Sequence, residues 1–279
     1  MLRGQEIALL LMAILEVACF SAKSAAIACE AGADRIELCD DCHAGGTTPS
    51  RDGVLKTTAL ARRRGIPVHV MIRPRGGDFV YSDDEYAVMK FNIRNLRDHA
   101  DGFVLGILTP AHQVDVARTA ELADLARPLP CTFHRAFDQT QDLSTALDDV
   151  IAAGCKAVLT SGGALAAPQG TAILSKLVQR SAGRIAVIPG GGVRSQNLEL
   201  LRNLTGATCF HTSALSHTAD VPDRMELARM LVTLRTGNEI DSPCTASSTP
   251  PSEIDHNTGG QSADMTASAV SVGSIAFER

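Results

Sequence analysis

The chain has 279 residues, with 31 acidic against 26 basic side chains and a formal charge of −5. Hydrophobic residues make up 45% and charged residues 20%, an ordinary balance for a globular chain that builds its own core. No Lys/Arg-dense face is present, which excludes nucleic acid as the expected partner; with aromatics at 4% and no Trp, the core must be aliphatic.

The apolar run Leu9–Leu15 follows Arg3 and reads either as a signal-like segment or as the start of a buried strand. Glu16 interrupts it, and it is too short to cross a bilayer, so no membrane partner is expected. Residues 1–11 are read as an N-terminal extension, with Met12 as an effective start. A first strand is expected at Ile14–Phe20, then an Ala-rich helix Ser21–Ala31 stopped by Gly32. Strand Arg35–Cys39 is followed by helix Asp52–Arg64, and strand Val68–Pro74 by a helix running to about Ala100. Ser82 and Glu85 open that helix as a capping box. Strand Gly102–Thr109 pairs with helix Asp115–Ala126, and strand Cys131–Phe137 with helix Asp142–Ala153. Strand Ala157–Gly162 precedes helix Pro168–Ala182. Strand Arg184–Pro189 precedes helix Ser195–Leu204. Strand Cys209–Ala214 and helix Asp220–Thr236 complete the series.

This strict alternation argues for a parallel sheet, and eight units over residues 12–236 favour a single (β/α)8 TIM barrel over an open doubly wound sheet. Residues 237–279 are rich in Ser and Thr and carry Pro243, Pro250 and Pro251. They are read as a disordered tail in which Cys244 and His256 are bystanders. The eight cysteines are scattered and mostly lie in apolar stretches, the pattern of reduced, buried thiols in a cytoplasmic protein.

Barrel strands alternate between lumen and helix layer. Placing Leu15, Val17, Ile36, Leu38, Val68, Val70, Phe133 and Phe210 under the helices turns Glu16, Arg35, Glu37, His69, Arg73, His134 and His211 inward. One such residue can be a satisfied structural group. Seven in one lumen imply a network, and barrel enzymes place their sites at the strand C-termini. Glu37 or His134 is a candidate general base, with Glu16, Arg35, Arg73 and Asp138 as partners. Arg73 and Arg75, in Arg73-Pro74-Arg75-Gly76-Gly77-Asp78, suit an anion or pair with Asp78. Gly190-Gly191-Gly192, Ser161 and Ser213 follow strands 7, 6 and 8, where phosphate sites of this architecture occur, although glycine loops also serve simply as turns. Cys39-x-x-Cys42, followed by His43, offers thiolates that suit Cu(I) or Zn, or is a chance pair.

Several runs together resemble the CutC family of copper homeostasis proteins. They are Glu16-Val17, Gly32–Cys39, Gly45–Ser50, Pro67–Phe79, Tyr81–Asp83, Thr132–Asp138, Leu159–Gly162 and Pro189–Gly192. The resemblance implies a cytoplasmic TIM barrel, copper binding or trafficking, and a Cu(I) site at two cysteines near the first two strand ends. It also implies that homo-oligomers occur. Cys39 matches one of those cysteines. The other follows Glu-Val directly in the family and is Ala18 here, while Cys42 and His43 stand nearby as alternative ligands. Two functions are therefore expected to compete. One is a cytoplasmic copper-binding or trafficking protein with Cu(I) on Cys39 and Cys42. The other is a TIM-barrel enzyme acting on a small phosphorylated or carboxylated molecule.

Overall fold

The computed structural model describes residues 13–215 and 220–236. Its chain divides into a barrel unit, Met1–Asp241, and a second unit, Ser242–Arg279. The second unit, with the expected tail, lies outside the described residues, as does the expected extension 1–11. The barrel strands are β1 (Ile14–Cys19), β2 (Arg35–Leu38), β3 (Val68–Met71), β4 (Gly102–Leu105), β5 (Cys131–Phe133), β6 (Ala157–Thr160), β7 (Ala186–Pro189) and β8 (Cys209–Thr212). They alternate with helices α1 (Ala22–Ala31), α2 (Arg51–Arg62), α3 (Asp83–Leu96), α4 (Val116–Ala126), α5 (Leu143–Ala152), α6 (Thr171–Ser181), α7 (Ser195–Thr205) and α8 (Arg224–Thr236). Every ladder is parallel, and the strand order is β7-β6-β5-β4-β3-β2-β1-β8. The described residues form a TIM barrel, nearly closed, with its seam between β7 and β8.

Helix starts follow local chemistry. Ser21, Ser50, Ser82, Asp115 and Asp142 each accept a backbone N–H of the first turn with their side chains. The Ser82–Glu85 capping box forms in both directions. Between strands and helices lies the apolar core, with Leu15, Ile36, Phe103, Phe133 and Phe210 fully buried; the few aromatics concentrate there, so the core is not the purely aliphatic one that composition suggests. Each such side chain contributes roughly 1.5–3 kcal/mol by leaving water.

The expected strands run too far at their ends, and the reasons are local. β3 stops at Met71 because Thr48 takes over Arg73: the Arg73 N–H donates to Thr48 Oγ1, and the Thr48 N–H donates to the Arg73 carbonyl. β5 stops at Phe133 because His134 caps a short 3₁₀ turn, Arg135–Gln139. Pro168 opens a second such turn, Ala167–Gln169, so α6 begins at Thr171. Among the described residues, no helix is long and apolar enough to cross a membrane.

Candidate functional site at the barrel mouth

Strand register sets the depth of each inward side chain. Glu16 lies level with Arg35 and with His211, and Ala18 lies level with Glu37. Arg35 Nε donates to Glu16 Oε2 at 2.5 Å, and an Arg35 amino group reaches Cys209 Sγ at the start of β8. Burial alone would raise the Glu16 pKa. The His211 hydrogen bond and the Arg35 charge outweigh it and hold the carboxyl down at about 2. An ionised carboxylate only accepts, so His211 Nδ1–H is the donor in its 2.7 Å bond to Glu16 Oε1.

Above this floor opens a cavity of about 220 Å³. Glu37, Cys39, Met71, Arg73, His134 and His211 face it from the strands and their ends. Arg135, Gly191, Gly192, Arg194 and Ser213 face it from the loops after β5, β7 and β8. Ala18 and Phe20 complete the wall beside Cys39. Glu37 Oε1 accepts the Cys39 thiol at 3.4 Å, while Glu37 Oε2 is buried without a hydrogen-bond partner. Burial pushes the Glu37 carboxyl up, and His211 offsets part of that rise. Burial first, then Glu37, pushes the Cys39 thiol well up. His211 is pulled down by burial, yet Glu37 and Glu16 raise it overall.

His134 is fixed in one tautomer. The Ala136 N–H donates to its Nδ1 at 3.2 Å, so the ring proton sits on Nε2, which is buried and unpartnered. Burial and the Arg73 charge hold the imidazole neutral, with its pKa at about 3. Arg73 crosses the mouth beyond β3. Its guanidinium donates to the carbonyls of Ala44, Gly46 and Gly77 and lies over the Phe79 ring at 4.8 Å. Arg194 donates to Val193 and Leu215 carbonyls and to Thr212 Oγ1. Among the described residues neither arginine makes an ion pair, so both positive charges bear on the cavity uncompensated.

The expected set therefore splits. Glu37, Arg73, His134, Cys39, Gly191, Gly192 and Ser213 reach the cavity. Glu16 and Arg35 do not line it, because they stand early in their strands and form the pair beneath it. Arg75 does not reach it either: it pairs with Asp78 at 2.9 Å and Glu85 at 2.6 Å, outside the mouth. Asp138 accepts from Thr160 Oγ1, the Ser161 and Gly163 amides and Arg135 Nε, and so ties loops together behind the wall. Ser161 is spent on Asp138 and the Ala164 carbonyl, and Gly190 sits against Leu159 and His211 without lining the cavity. Cys42 is half-buried in the loop after β2 and does not line the cavity with Cys39. Cys19 packs in the outer core, on the opposite face from Ala18.

Arg135 and Arg194 join the site although the strand pattern does not single them out. Each lies just beyond a motif that it does, His134 and the Gly190–Gly192 run. A charged side chain beside a glycine loop is the signal that could have found Arg194. Among the described residues, one grouping of three oxygen or nitrogen ligands lies within 4.8 Å, namely Glu16, Glu37 and His211. Glu16 and His211 already satisfy each other there. The donors are hard oxygens and one imidazole, a poor match for Cu(I).

The fold and cavity define a TIM-barrel protein whose candidate site, at the C-terminal mouth, combines sulfur donors, imidazoles and guanidinium groups without ion-pair partners. The CutC family pattern matches residues 13–216, and the chain belongs to the CutC family. A CutC family protein of Chromobacterium violaceum is 48% identical over 208 residues, covering 74% of this chain and 83% of the relative. The human copper homeostasis protein cutC homolog is 47% identical over 204 residues, covering 73% of this chain and 74% of the human protein. The crystal structure of a putative copper homeostasis protein CutC from Streptococcus agalactiae superposes with a TM-score of 0.69 at 32% identity. That match covers 72% of this chain and 99% of the other.

Proposed function

We propose that this protein handles copper in the cytoplasm, taking Cu(I) as cargo at Cys39 in the barrel mouth. The observation that carries this is the placement of soft donors. Cys39 and Met71 pack together in one cluster and line the cavity, and His134 and His211 line it too. Thiolate and thioether are the ligands that select Cu(I). The copper homeostasis names of the relatives agree with that chemistry. The seven described cysteines are all free and six are buried, which supports a reducing compartment. Ala18 lines the cavity where the family resemblance places a second cysteine, so Met71 takes the place of a second sulfur ligand. Cargo binding must expel the thiol proton and break its bond to Glu37, so loading releases protons. X-ray absorption on protein loaded with one equivalent of Cu(I) tests the reading. Sulfur scatterers that fall in number in Cys39→Ser support it; a purely nitrogen and oxygen shell overturns it.

A second reading is favoured by a specific observation. Glu37 Oε2 and His134 Nε2 are two unsatisfied buried polar atoms on residues that line one cavity, and leaving each unpaired costs roughly 1–3 kcal/mol. Copper on sulfur uses neither. An enzyme acting on a small phosphorylated or carboxylated molecule would use both.

A further inference from the structure

The wall of the mouth cavity carries three guanidinium groups, Arg73, Arg135 and Arg194, against one carboxylate, Glu37. Arg135 is matched by Asp138, and the other two are not. Coordination of copper by sulfur does not use these charges. An anion gains from the two unmatched ones, Arg73 and Arg194. The N-terminus of α7 is not the donor, because Glu226 already accepts from the Ser195 amide and hydroxyl. The loop before it is different. Gly191 and Gly192 have φ of 90° and 71°, a conformation that favours glycine. A Cβ on Gly191 would stand 3.1 Å from Arg135 Nη1, so the backbone passes close to a guanidinium edge. Among the described residues, the amides of Gly191 and Gly192 make no hydrogen bond.

His134 is 4% exposed and Glu37 3%; both residues line the cavity, and each carries a buried polar atom without a partner. His134 Nε2–H is a neutral donor, suited to a carbonyl oxygen. An ionised Glu37 Oε2 is an acceptor, suited to a hydroxyl.

We propose that the mouth cavity binds a small phosphorylated hydroxycarbonyl compound. Its phosphate lies between Arg194 and the Gly191–Gly192 and Ser213 loops, its carbonyl oxygen at His134 Nε2–H and its hydroxyl at Glu37 Oε2. This inference rests on the enzyme reading above and names its substrate class. The charge excess selects phosphate over a singly charged carboxylate, and the fixed tautomer of His134 selects a carbonyl over a second donor.

The test is calorimetric titration of the full chain with inorganic phosphate, 3-hydroxypropyl phosphate and dihydroxyacetone phosphate. The two phosphate esters share a phosphate and a terminal hydroxyl and differ in having a methylene or a carbonyl at the central carbon. Dihydroxyacetone phosphate is expected to bind about tenfold tighter than 3-hydroxypropyl phosphate, the worth of one hydrogen bond to an otherwise unsatisfied donor. His134→Phe, checked for folding by circular dichroism, is expected to erase that difference while retaining phosphate binding. If His134→Phe does not fold, the wild-type comparison decides alone. Equal affinities of the two esters in the wild type would overturn the carbonyl assignment and leave the anion site standing. Binding of none of the three, in protein that still takes Cu(I), would overturn both this inference and the enzyme reading.

Discussion

His134 and His69 show how much a buried side chain owes to its immediate neighbours. Burial first, then the charges of Arg73 and Arg35, hold them neutral, at about 3 and about 4. In the unfolded chain each titrates near 6.5. As pH falls below 6.5 the unfolded state therefore takes up protons that the native state refuses. Stability should fall by up to about 1.4 kcal/mol per pH unit for each histidine. Glu16 adds to the loss between its ordinary value of 4.5 and about 2, because its native carboxylate resists protonation. His211, raised by Glu37 and Glu16, acts in the opposite direction, and its contribution is complete below 6.5. Urea midpoints are expected to drop between pH 7 and pH 5, and to drop less in His69→Asn. Equal midpoints at the two pH values would contradict this assignment of neutral rings.

The residue scale also shows what the sequence could and could not reveal. Alternation within strands correctly turns Glu37, Cys39 and His134 toward the lumen, since apolar neighbours such as Leu38 and Phe133 have only the helix side to occupy. It says nothing of depth, so it puts Glu16 and Arg35 at the mouth although register sets them beneath it. Nor does it show local competition: Asp78 and Glu85 hold Arg75, and Ser161 is held by Asp138, within contacts that no pattern reveals.

At the scale of the element, β4 shows how one strand makes room for the site. Its inward positions run Gly102, Val104 and then Gly106 just past its end. A Cβ at Gly102 would stand 2.6 Å from the His69 ring, and one at Gly106 would stand 2.5 Å from His134 Nδ1. Small residues on β4 thus house the imidazoles delivered by β3 and β5. Gly106→Ala is expected to push His134 out of place and cost about 1–3 kcal/mol by overpacking, read from denaturant midpoints. A variant as stable as wild type would show that the ring has other space to occupy. The eight βα units were legible because helix stops such as Gly32, Gly154 and Gly206 come directly after periodic apolar stretches. Strand ends were not, because Thr48 and the His134 cap act through tertiary and side-chain bonds.

At the scale of the whole molecule, barrel closure rests on the last helix. In α8, Leu227, Met230 and Leu234 are fully buried. Arg235 ties the helix to the Ala13 carbonyl and to Asp34 at 2.6 Å. A chain ending at Thr236 is therefore expected to melt within about 2–4 °C of the full chain, the shift that one kcal/mol produces at this size. A larger drop would show that residues 237–279 pack on the barrel.

The central claim is that Cu(I) is taken at Cys39 inside the mouth cavity. Its most direct test is Cu(I) affinity, measured by competition with a chromophoric chelator under anaerobic conditions, for wild type, Cys39→Ser and Cys42→Ser. The account predicts at least about a hundredfold loss in Cys39→Ser, since even the partners that only orient a metal ligand cost roughly 10–100-fold when removed. It predicts wild-type affinity in Cys42→Ser, whose side chain lies outside the cavity. Wild-type affinity in Cys39→Ser would contradict it.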